Sequence, residues 1–155
     1  MTGKAMSFTD WVKRNVNDAR EALGTEITKF KSRDFLEAVV AGCALVAYAD
    51  GDVSSQEKQK MMGYLRASEQ LKVFDQNDVI KLFQKYVEKF EFDSTIGTGE
   101  VMQAVGKFRG KPQAQLIVRV CCAIGAADGD FDVQERAAVR KMASELGLNP
   151  ADFSL

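Results

Sequence analysis

The segment CALVAYADGDVSSQE at residues 43–57 recurs 78 positions later as CCAIGAADGDFDVQE at residues 121–135. Seven positions are identical, and they gather at Asp-Gly-Asp and at the Gln-Glu pair that follows. Each copy reads as an apolar helix, a tight acidic turn and a second helix. Two helix-turn-helix halves, at about residues 35–65 and 113–143, are therefore expected to pack about a pseudo-two-fold axis. Only two prolines and no run of apolar/polar alternation occur in the 155 residues, so the predicted fold is all-α, a single domain over 1–155 with about seven helices.

The remaining elements follow from spacing and punctuation. A first helix is predicted after Ser7, with Asp10 placed to close a capping box. Its apolar stripe is Phe8, Trp11, Val12, Val16, Ala19, Leu23, Ile27 and Phe30. Residues 4–33 hold seven basic and four acidic side chains, so this helix has two readings, packing on its own domain or lying on an anionic membrane surface. Phe35 to Ala49 and Gln113 to Ala127 are apolar enough to be buried central helices. Between them, a helix starts near Ser54, a turn falls at Phe74 to Asn77, and a helix with Val79, Leu82, Phe83, Tyr86, Val87 and Phe90 follows. Thr95 to Gly99 is expected to break that helix as a turn, since Gly97-Thr98-Gly99 lacks the context of a phosphate loop. A last long helix is expected from about Val133 to Leu146, stopped by Gly147, with Asn149-Pro150 capping a short final turn.

Composition removes much of catalytic chemistry. There is no His, which excludes His-based triads, proton shuttles and His-ligated metals, and a formal net charge of -1 excludes a generally basic nucleic-acid binder. The three cysteines, Cys43, Cys121 and Cys122, form no zinc-type spacing and sit in the most apolar stretches, where they read as core residues of a reduced, cytoplasmic protein. No secretory leader or membrane-spanning run is apparent in the sequence.

The acidic boxes support two readings. Ser54 with Glu57, and Asp132 with Glu135, have capping-box spacing, and Gly51 and Gly129 suit the turns. Capping leaves unexplained why Asp50, Asp52, Asp128 and Asp130 also crowd the two turns, since like charges repel and a bound hard cation relieves them. The spacing is not that of an EF-hand, whose Gly and closing Glu fall later in the loop. A site of Asp50, Asp52, Glu57, Asp128, Asp130, Asp132 and Glu135 holding calcium or magnesium therefore stands beside a purely structural or partner-binding turn. Ser54 replaces the Asp132 of the second box, so the first site would be the weaker.

The paired Asp-Gly boxes, the stretch Ser54 to Met61, the Leu71-Lys72-Val73-Phe74-Asp75 segment and the closing Leu146 to Phe153 together resemble the bacterial tellurite-resistance family TerB over nearly the whole chain. The resemblance implies a helical cytosolic domain without established enzymatic activity. It also implies a candidate metal site at the acidic boxes, and partners among other tellurite-resistance proteins, including a membrane-associated one at the inner face of the membrane. Thiol-dependent reduction of tellurite is the competing expectation, and it needs an exposed thiolate with a cationic or resolving partner.

Overall fold

The computed structural model describes residues 32–49, 51, 53–67, 71–125, 131–153 and 155. The helix expected after Ser7, its Asp10 cap and its surface reading lie outside these residues. All regular structure described is helical: α1 (Arg33–Ala47), α2 (Ser55–Ala67), α3 (Gln76–Phe92), α4 (Ser94–Gly106), α5 (Gln113–Gly125) and α6 (Val133–Glu145), then a 3-10 turn at Pro150–Phe153. The repeat is carried into structure without slippage, because α2 and α6 begin and end 78 residues apart.

α1 occupies the centre. Ser32 starts it, its hydroxyl oxygen accepting from Phe35 N at 3.1 Å. Phe35, Val39, Val40 and Val46 are each no more than 1% exposed. A helix apolar around most of its surface must be surrounded. α1 meets α5, α4, α3 and α6, and one apolar core runs through them from Phe35 to Phe153. At the crossing with α5 and α6 stands Gly42, where a built Cβ would lie 2.6 Å from Cys121 Sγ and 2.7 Å from Met142 Sδ. The three helices approach this closely because that position has no side chain.

The stretch Thr95 to Gly99 is not a turn. α3 ends at Phe92, before that stretch, and Asp93 alone separates it from α4. Asp93 N donates to Lys89 O at 3.0 Å, closing α3. Its carboxylate accepts from Thr95 N at 2.7 Å and Ile96 N at 3.2 Å, opening α4. Gly97 sits in the first turns of α4 because a Cβ there would fall 2.6 Å from the Phe90 ring and 2.9 Å from Phe90 Cα. Tertiary packing thus overrides the poor helix propensity of glycine.

Other punctuation matches expectation. Asp75 caps α3, accepting from Asn77 N at 2.7 Å. Gly147, at φ 75°, ends α6. Gly147 N donates to Ser144 O and Leu148 N to Ala143 O, the paired bonds of a Schellman stop. Arg109 Nη1 donates to Glu145 O at 2.9 Å, so a side chain from the α4–α5 turn satisfies a carbonyl at the end of α6.

Candidate functional site

The acidic turns lie where the central helices hand over to α2 and α6. In the second turn Asp132 is the N-cap of α6, and both bonds of a capping box are present. Asp132 Oδ1 accepts from Glu135 N at 2.8 Å, and Glu135 Oε1 accepts from Asp132 N at 3.1 Å. In the first turn Gly51 has φ 105° and donates from N to Tyr48 O at 3.0 Å, a backbone state that disfavours any residue with a Cβ. Lys58 N donates to Ser54 O, so Ser54 stands at the head of α2 as Asp132 does at the head of α6. Asp50, Asp52, Asp128 and Asp130 lie outside the described residues, as does the side chain of Glu57. Among the described residues no three acidic or thiol side chains converge as metal ligands.

Two contacts beside the first turn escaped the sequence reading. Tyr48, just past α1, stacks on Phe90 with ring centroids 5.1 Å apart and planes 7° from parallel. Its hydroxyl oxygen is buried without a hydrogen-bond partner. Burial, then the nearby Glu91 charge, push that hydroxyl up to about 12. Glu91 itself pairs with Lys58 at 3.1 Å. The turn is therefore buttressed by α3 through an aromatic stack and an ion pair.

A second polar cluster sits one turn into α1. Tyr86 Oη donates to Glu37 Oε1 at 2.7 Å and Lys85 Nζ donates to the same oxygen at 3.0 Å. Burial pushes the Glu37 carboxyl up, but the Tyr86 and Lys85 bonds and the Lys85 and Lys107 charges outweigh it, so Glu37 titrates below its ordinary value. With a single carboxylate already satisfied, this cluster joins helices rather than performing acid-base chemistry.

The thiols are unsuited to catalysis as they stand. Cys43, Cys121 and Cys122 are free and 0–1% exposed. Cys121 Sγ donates to Val39 O at 3.5 Å. The hydrogen bond with Cys43, then burial, hold the Cys121 thiol well above its usual range, and burial with the Cys43 charge does the same to Cys122. A reactive cysteine needs the opposite environment.

Grooves open on the surface between the described helices. One, about 440 Å³, lies between α2 and α3 and is lined by Lys58, Met62, Phe83, Val87, Glu88 and Glu91 among others. Another, about 590 Å³, lies between α4 and α6 and is lined by Met102, Ala137, Arg140, Lys141 and Glu145 among others. No helix among the described residues is long and apolar enough to cross a membrane.

The family model described as tellurite resistance protein TerB matches residues 36–155. That match covers both repeat copies and all of the core except its first buried residue, Phe35. The tellurium resistance protein TerB of Alcaligenes sp is 47% identical over 116 residues, which is 74% of this chain and 95% of that protein. No solved structure matches. The helical repeat, its duplicated acidic turn and these two likenesses agree: the chain belongs to the TerB family of tellurite-resistance proteins.

Proposed function

We propose that the chain is a non-enzymatic tellurite- and stress-resistance module. In this reading its two acidic turns bind a divalent cation, calcium or magnesium, and dock it into a cytoplasmic resistance complex at the inner face of the membrane. The observation that carries the reading is the capping box of the second turn. Asp132 and Glu135 close it between them, so helix capping makes no demand on the charges of Asp128 and Asp130, which the first copy nonetheless repeats as Asp50 and Asp52. A cluster of carboxylates beyond those needed for structure is favoured when a hard cation or a cationic partner offsets their repulsion. The sealed thiols argue against the competing reading, reduction of tellurite by cysteine.

The test is thermal unfolding in chelator and in millimolar calcium or magnesium. A ligand at one hundred times its Kd stabilises the folded state by about 2.7 kcal/mol, which for a chain this size raises Tm by roughly 5–10 °C. Asp128→Asn is expected to abolish the metal-dependent rise while leaving the chelated protein within about 1 kcal/mol of wild type. Equal Tm values for wild type in chelator and in metal overturn the cation role.

A further inference from the structure

In the first half of the fold, α3 covers the hairpin made by α1 and α2. It is joined to them by Tyr86 with Glu37, Phe90 with Tyr48 and Glu91 with Lys58. The second hairpin keeps the same spacing, since α5 ends 78 residues after α1, and α6 begins and ends 78 residues after α2. Among the described helices nothing covers it as α3 covers the first: α5 packs chiefly on α1, α2 and α6, and α6 on α1, α4, α5 and the final 3-10 turn. Position by position, the matching face has changed in one direction. Gln115 stands for Glu37, Arg119 for Ala41 on the same helical stripe, Arg136 for Lys58 and Arg140 for Met62. Where Glu37 and Lys58 offset each other, the second copy keeps only cations. Gln115 and Arg140 are exposed and Arg119 is half-buried, and neither Arg119 nor Arg140 is in an ion pair among the described residues. Ser55 and Gln59 meanwhile become Val133 and Ala137, and Val133 is 74% exposed. Solvent by itself favours the reverse exchange and a mixture of charge signs.

We propose that this face of α5 and α6 docks an acidic amphipathic helix of a partner protein, seated on the second hairpin as α3 is seated on the first. The internal copy supplies the shape of the occupant, a helix with one apolar face. The charge supplies its sign, because carboxylates on that helix meet Arg119 and Arg140. Ala137 and Arg140 also line the groove of about 590 Å³ beside Met102, so the surface is concave where the helix would lie. The chain's own residues 4–33, with seven basic against four acidic side chains, are repelled by the same cations. None of the acidic-turn carboxylates takes part, so this surface stands or falls separately from cation binding.

The probe is a fluorescein-labelled peptide with the sequence of residues 76–92 carrying Lys81→Glu, Lys85→Glu and Lys89→Glu, titrated with the full chain. Saturable binding is expected, and the same peptide with its lysines restored should bind about tenfold more weakly or worse. Arg119→Glu and Arg140→Glu together in the chain should weaken the acidic peptide by about tenfold or more. Lys81→Glu in the chain, an exposed charge change on α3, should leave binding unchanged, with circular dichroism confirming that the variants stay folded. No saturable binding, or equal binding by wild type and the double variant, overturns the proposal. Phosphatidylserine vesicles that bind the wild type, and lose the double variant, while the peptide binds neither overturn it and assign the face to a membrane. A dimer in sedimentation that the double variant abolishes overturns it in favour of a second copy. Emission of Trp11, the only tryptophan, that reddens in the double variant overturns it in favour of the chain's own first residues.

Discussion

Gly42→Ala puts the packing of the central helix to a quantitative test. A carbon normally rests about 3.5–4.0 Å from its neighbours, whereas the added methyl would begin 2.6 Å from Cys121 Sγ and 2.7 Å from Met142 Sδ. Cys121 Sγ is hydrogen-bonded to Val39 O, and Met142 is 0% exposed, so each sulfur must shift within a filled core to make room. Overpacking of this kind costs about 1–3 kcal/mol, and two simultaneous overlaps place it in the upper half of that range. Alanine returns about 1 kcal/mol through helix propensity. The expected net loss is about 1–2 kcal/mol, a fall in Tm of roughly 2–8 °C. Cys121→Ala removes one of the two obstacles. The double variant should therefore be more stable than the sum of the single changes by about 0.5–3 kcal/mol, the coupling usual for touching residues. Urea titrations of the four proteins give these numbers. A Gly42→Ala protein as stable as wild type, or strictly additive changes, would refute the close-crossing argument.

Tyr86→Phe leaves the Glu37 carboxylate with Lys85 alone and should cost about 1.5–3 kcal/mol by denaturant titration. Glu37 titrates below its ordinary 4.5 when folded, so its contribution is fully present above that value and fades as pH falls through the lower folded value. Tyr86→Phe should flatten the acid limb of the stability profile, and an unchanged limb would remove Glu37 from the account. At the alkaline end Tyr48 and Tyr86 are both raised above 10, so stability should fall as pH climbs from about 10 to 12; Tyr48→Phe should lessen that fall. A thiol reagent should label none of the three cysteines in folded protein and all three after unfolding, and labelling faster than unfolding would reopen the thiol reading.

Much of this architecture was readable in the chain. The repeat located both central helices and the α2 and α6 partners, because apolar periodicity and the Asp-Gly-Asp turn are local signals. α4 was hidden for an equally physical reason. Gly97 and Gly99 look like helix breakers until Phe90 is known to press on one of them, and that contact belongs to the fold. The acidic turns were visible as motifs, and capping-box spacing already set Asp132 and Glu135 apart from Asp128 and Asp130; the structure adds the two bonds that close the box. Tyr48 on Phe90, Lys58 with Glu91, and Glu37 with Tyr86 join residues 33 to 49 positions apart, and no local pattern announces such pairs.

Asp93 gives the two halves a shared mechanical fate. It is the only residue between α3 and α4, and its amide, carbonyl and carboxylate are all engaged, the carbonyl accepting from Gly97 N at 2.9 Å. A bend at this corner would break bonds on both sides and lift Gly97 off Phe90. The corner is therefore a bracket between α3 and α4. α1, which packs on both α3 and α4, is held between two helices whose angle this corner fixes.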